Sequence, residues 1–242
     1  MLTQTYQFYI KKCADSDWAC AGTHVIEWPT VYLTFQAPVD PWGTKYNAQG
    51  QPVATRTCWV EALHRACTYM PEAGYTSSQE RAAMGRLVDS IYYSGKRYDP
   101  AHDSEYHYEA STDNMRFDLV DVLPAAVGDC QDFSLYWEKL NHSLGLNVYA
   151  RRVNGLFRTK NVLPANSQSG WVAFDFNFHH VGWDDDVFDP CVKLNQPDPL
   201  LAKDMNANTY KGYLWDSGAW NWLDDWKLGG TDPYFASDTE VD

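Results

Sequence analysis

Three short segments hold the residue types that thiol catalysis requires. Gly128-Asp129-Cys130-Gln131-Asp132-Phe133 sets a cysteine where the pattern predicts a helix start. His179-His180-Val181 follows in an apolar-alternating strand, and Phe188-Asp189-Pro190 in the next strand. A cysteine nucleophile needs its thiol deprotonated, a base that holds or takes the proton, and a third group that orients the base. Unpaired N–H groups at a helix start favour a thiolate and can bind an oxyanion. The expectation is therefore that Cys130 has a lowered pKa and that those amides face the substrate.

The strand pattern assigns the other two roles. Phe174, Phe176, Phe178 and His180 fall on one side, and Asp175, Asn177 and His179 on the other. His180 continues an apolar face that should pack toward the helix, so it is the expected base, with His179 turned toward solvent or a neighbouring strand. Gly182 to Asp186 reads as a turn, which returns Val187 to Pro190 antiparallel and brings Asp189 near His180. Gly128, Asp129 and Gln131 flank the nucleophile and, with Trp183, are the candidates for holding substrate or oxyanion. Gly128 would allow close backbone approach.

The elements that must position these residues read as follows. Thr57 to Cys67 is predicted helical, with Trp59, Leu63 and Ala66 on one face. A second helix begins at Ser78 and carries the stripe Ala83, Leu87, Val88 and Ile91. Residues 94–115 read as a polar loop of functional length. The cysteine helix turns Phe133, Trp137, Leu140 and Leu144 inward and stops at Gly145. Strands are predicted over Leu146–Val153, Trp171–Val181 and Val187–Val192. The order implies an α+β fold, with a cysteine-bearing helix packed on an antiparallel sheet. Residues 1–50 form a strand-rich extension (Val25–Trp28, Val31–Phe35), 51–200 the catalytic core, and 201–242 an aromatic, acidic extension packing on that core.

These motifs resemble the transglutaminase-like superfamily. Gly128 to Ser134 is similar to its Gly-x-Cys helix start. His180-Val181, Trp183 and Val187-Phe188-Asp189-Pro190 are similar to its histidine strand and following Asp-Pro strand. The resemblance covers roughly residues 55–195. It implies a papain-like fold and a Cys130-His180-Asp189 triad. The implied chemistry is amide hydrolysis or acyl transfer through a thioester, on a protein or peptide substrate. Inactive relatives also exist, so the alternative is a module that binds a glycan or protein. The chain departs from the family in its short His-to-Asp spacing and in lacking an evident side-chain oxyanion donor before Cys130.

Composition narrows the partners. The 242 residues carry a net charge of −13, which argues against nucleic acid or anionic membrane. No run of about 18 apolar residues is present. Met1 to Tyr6 does not resemble a signal peptide, while abundant Trp and Tyr lean toward a secreted protein, and a monomer is expected. Of the six cysteines, Cys13 and Cys20 could close a short loop. Helical Cys58 and Cys67 would lie roughly 13 Å apart, too far for a disulfide. His102, Asp103, Glu105 and His107 match no zinc spacing, and Asp184, Asp185, Asp186 and Asp189 no EF-hand loop. Neither metal nor cofactor is expected.

Overall fold

The computed structural model describes residues 79–102 and 124–223 continuously, and residues 34–36, 38, 44–46, 52–55, 60–70, 106–109, 114–117 and 122 besides. The expected strands before Thr34, the cysteines Cys13, Cys20 and Cys58, and the tail after Leu223 lie outside the described residues.

Helix α1 spans Val60–Tyr69, α2 Glu80–Tyr92, α3 Cys130–Ser143 and α4 Ala207–Leu214. The strands are β1 Thr44–Tyr46, β2 Pro52–Thr55, β3 Arg97–Tyr98, β4 Tyr106–Glu109, β5 Asn114–Phe117, β6 Val127–Gly128 and β7 Tyr149–Thr159. They continue as β8 Val162–Pro164, β9 Asp175–Asp184, β10 Asp186–Phe188, β11 Val192–Leu194, β12 Leu200–Leu201, β13 Trp215–Gly218 and β14 Asn221–Leu223. Among the described residues this is an α+β arrangement of four helices and mainly antiparallel sheets.

The central sheet runs β10-β9-β7-β13, with β14 also paired to β7. Helix α3 lies against it, with α1 and α2 beside α3. The inward stripe explains why. Phe133, Trp137, Leu140 and Leu144 recur at helical spacing, and all four are buried. Trp137 is fully buried. Its indole N–H donates to the Met84 carbonyl of α2 at 3.0 Å, and its ring stacks on Phe188 of β10 at 5.1 Å. Glu138 fixes the other flank by accepting the Ala150 amide of β7 at 2.7 Å.

One sequence expectation is corrected. Residues 94–115 are not one irregular loop: β3 pairs parallel with β6, and β4 pairs antiparallel with β5. Residues after 200 contribute to the sheets. Strands β13 and β14 both pair with β7, and the boundary at 200/201 falls inside β12.

The hairpin β9–β10 turns at Asp185, whose φ of 60° lies in the left-handed region. Arg81 of α2 clamps it, pairing with Asp184 (3.5 Å), Asp186 (3.2 Å) and Asp204, and donating to the Asp184 carbonyl at 2.7 Å. The acidic turn is thus balanced by a guanidinium. Among the described residues no helix is long and apolar enough to cross a membrane.

Gly182 sets the closeness of α3 and β9. A Cβ there would sit 2.4 Å from the Trp137 ring. Gly182→Ala should therefore force a shift of a packed indole and lower stability by roughly 1–3 kcal/mol. Denaturant midpoints of the two proteins check this, and an unchanged midpoint would mean looser packing than described.

Candidate functional site

Helix α3 begins at Cys130, as the sequence predicts, because a pair of acids caps it. Asp129 accepts the Gln131 and Asp132 amides at 2.8 and 3.0 Å, and Asp132 accepts the Asp129 amide at 3.1 Å. This is a reciprocal capping box. It has two consequences for catalysis. The Gln131 and Asp132 amides are occupied, and the Phe133 amide donates to the Asp129 carbonyl at 3.2 Å. The expected bank of open N–H groups is therefore closed, and Cys130's own N–H is the first-turn donor that the cap leaves out. Gly128 serves the cap as well: a Cβ there would lie 3.1 Å from Asp132 Cβ, so its smallness admits the capping acid. A gap of about 10 Å³ remains between Gly128, Asp132, Phe133 and Lys96, about the volume one water needs.

The Cys130 thiol is buried, at 4% exposure. Burial pushes its pKa well above the ordinary value, and the nearby Asp129, Asp189 and Asp132 charges push the same way. The His180 backbone amide, hydrogen-bonded to the sulfur, pulls it down. This corrects the expectation of a lowered pKa. A helix terminus contributes on the order of 0.3–1 kcal/mol, whereas full burial can shift a pKa by several units. Desolvation wins.

Asp189 chooses the other histidine. Its Oδ2 accepts from His179 Nε2 at 3.2 Å and from the Tyr210 hydroxyl at 2.7 Å, and its Oδ1 accepts the Cys191 amide at 2.7 Å. Asp189, His179 and Tyr210 are all fully buried. The expected pairing of Asp189 with His180 is thus replaced by a pairing with His179. The physical reason lies in the hairpin register: Phe188 pairs with Gly182, so Asp189 continues opposite Val181, on the face of His179. β7 carries a bulge between Asn154 and Phe157 opposite Phe178 and Phe176, and the strict alternation of side chains fails there. Phe176 stacks on His179 at 5.1 Å, although simple alternation puts them on opposite faces. From Phe178 onward alternation holds: His180 touches Phe178 on the side where Gly182 meets Trp137.

Helix α4 brings Tyr210 in. Backbone bonds join Val187 to Met205 (2.8 and 3.1 Å) and the Asp189 amide to the Ala202 carbonyl (2.9 Å), and Asn206 caps α4. The chain is thereby held beside β10 before Tyr210 is reached. Cys191 completes the cluster, its thiol directed to Asp189. A His179 nitrogen, an Asp189 oxygen and Cys191 Sγ lie within 4.8 Å of one another, a donor set of the kind that binds zinc. Here these groups already bond to one another.

The structure therefore brings Cys130 beside the His180 backbone and joins Asp189 to His179. Trp183 is not gathered in. Its ring lies tilted against Trp222 at 5.3 Å, with the Arg151 guanidinium 4.1 Å from its centre. Sequence reasoning missed Tyr210 and Cys191, and it also missed Tyr98 of β3, whose buried ring packs on Phe133. Only the spacing Asp189-Pro190-Cys191 hinted at a second thiol. Comparison with known protein families, characterised proteins and solved structures finds no match for this chain.

Burial and the Asp132 charge push the Asp129 carboxyl up to about 6. The folded protein thus binds this proton more tightly than the unfolded chain, so its contribution to stability falls as pH rises from about 4 to 6. Asp129→Asn keeps an acceptor for the cap and removes the charge. It should flatten the melting-temperature profile over that interval, by on the order of 1–2 kcal/mol. It should also speed alkylation of Cys130 several-fold at pH 8. An unchanged profile would place Asp129 outside the acid pair.

Proposed function

We propose that this chain is a cysteine-dependent amide hydrolase or acyltransferase of the transglutaminase-like kind, built on a papain-like core. Cys130 is the nucleophile, His179 the base and Asp189 the orienting acid. The observation that carries the reading is the buried Asp189–His179 hydrogen bond, on a hairpin packed against the helix that Cys130 opens. With Nε2–H given to Asp189, the ring's Nδ1 is the acceptor. That Nδ1 is buried and has no hydrogen-bond partner among the described residues, and a buried polar atom left so calls for an explanation. A proton acceptor waiting for a thiol supplies one. His180 contributes its backbone amide to the sulfur.

The raised thiol pKa gives the reaction its form. Cys130 rests as a neutral thiol, and proton transfer to the imidazole accompanies attack on the carboxamide carbon. The amine leaves with the imidazole's proton, and the thioester is resolved by water or an amine. Hydrolysis is favoured over crosslinking because no residue set for a second amine is evident. A peptide or protein is the substrate.

Cys130→Ala should abolish release of ammonia or a peptide fragment while leaving the melting temperature nearly unchanged. His179→Ala should lower the rate by about 100-fold or more, in the range of a lost general base, and His180→Ala by much less. A larger loss in His180→Ala would return the base role to His180. Incorporation of a labelled primary amine into a Gln-bearing peptide separates transfer from hydrolysis.

A second reading is favoured by the thiol's 4% exposure. In it the scaffold binds a glycan or protein and Cys130 is inert. Equal ligand binding by wild type and Cys130→Ala, with no turnover in either, would establish that reading.

A further inference from the structure

Tyr98 poses a question that the fold does not answer. Its side chain is 4% exposed, yet its hydroxyl has no hydrogen-bond partner among the described residues. An unsatisfied buried hydroxyl costs about 1–3 kcal/mol. A phenylalanine would fill the same space without that cost. Tyr98 is held by backbone pairing and by two ring contacts. Strand β3 pairs Tyr98 with Gly128, two residues before the nucleophile. The ring meets Phe133, in the first turn of α3, edge-on at 6.0 Å. It meets Phe174 in the same manner at 6.0 Å. The Tyr98 amide donates to the Ala165 carbonyl at 3.0 Å, and the Asp99 amide to the Gly128 carbonyl at 3.0 Å, so the register is pinned on both sides. The ionisable groups around the phenol are Cys130, Cys191, Asp189 and Asp129. None of them accepts its proton. The hydroxyl is an unused donor near Cys130 and Asp129, at the start of α3, on a ring that packs on Phe133.

We propose that Tyr98 is the side-chain oxyanion donor of this site, a role that rests on the thiol chemistry assigned to Cys130. When Cys130 Sγ bonds to the substrate's carbonyl carbon, the C=O π pair moves onto oxygen and the thiol proton passes to His179. The Tyr98 O–H, together with the Cys130 N–H, donates to that oxygen. When the tetrahedral intermediate collapses, the pair returns to form C=O. The C–N bond breaks, and the departing nitrogen takes the proton from the imidazolium. Tyr98 keeps its own proton throughout, as burial among acids and thiols requires. The substrate carbonyl also satisfies the orphan hydroxyl, so the donor's desolvation is complete before the substrate arrives.

Tyr98→Phe tests this, because it keeps the ring contacts and removes only the donor. Acylation of Cys130 by a p-nitrophenyl acyl ester, followed as nitrophenolate release and by intact mass, should slow by about 100-fold or more. Alkylation of the same thiol by iodoacetamide develops no oxyanion and should proceed at the wild-type rate. The melting temperature should hold or rise, since a buried unsatisfied hydroxyl is gone. Wild-type acylation rates in Tyr98→Phe would overturn the oxyanion role and leave the nucleophile assignment standing. Parallel losses in acylation, alkylation and melting temperature would make Tyr98 structural and overturn the role as well. A wild-type protein that does not acylate at Cys130 at all would overturn the thiol chemistry and this role with it.

Discussion

A carboxylate buried completely is the constraint on which the rest of the structure depends. Asp189 has no access to water, and a lone carboxylate in that position would cost several kcal/mol. It is tolerated because three donors converge on it: the Cys191 amide, the Tyr210 hydroxyl and His179 Nε2. Each comes from a different constraint. The tight turn at Asp185 returns β10 beside β9 and presents Asp189 to His179. The segment 202–206, bonded to Val187 and Asp189, delivers α4 and Tyr210. Pro190 and Cys191 follow directly and close the second oxygen. Remove any one donor and the remaining groups are left with an under-satisfied charge in a dry core. The hairpin, the last helix and the histidine strand are therefore one unit.

The thiol lies in the same dry region, and that decides its chemistry. Several effects act on Cys130: helix-terminal field, backbone amide, burial and carboxylates. The first two favour the thiolate, and they are the smaller terms. A preformed thiolate–imidazolium pair is not the resting state that follows from this balance. On the proposed reading the thiol rests neutral, with charge appearing only as a substrate carbonyl engages. Such a site would be quiet toward general electrophiles at neutral pH and selective for substrates that can reach the first turn of α3.

Much of the framework was legible in the chain. The stripes Ala83-Leu87-Val88-Ile91 and Phe133-Trp137-Leu140-Leu144 have helical period, and each helix buries that stripe. Gly182 to Asp186 between apolar runs marked the hairpin, although of these only Asp185 lies outside its strands. What was not legible depended on partners distant in sequence. Which histidine meets Asp189 turns on the register of the β9–β10 hairpin, in which Phe188 pairs with Gly182. No pattern within β9 alone reveals that register. Tyr210 reads as one of many aromatic residues until the 202–206 segment is seen pairing with β10. Tyr98 was hidden in a stretch whose Tyr, His and Asp residues show no period. The capping acids Asp129 and Asp132 were visible, but their occupation of the helix-start amides was not, because it depends on side-chain direction.

The most direct measurement is the tautomer of His179 in uniformly ¹⁵N-labelled protein, read from its Nδ1 and Nε2 shifts at neutral pH and assigned with His179→Gln. A base held by Asp189 for thiol chemistry must appear as the Nε2–H tautomer, with Nδ1 a bare acceptor, and Asp189→Asn must disturb that pattern. A His179 ring protonated at Nδ1, or one indifferent to Asp189→Asn, would contradict the catalytic couple and reduce Asp189 to a packing residue.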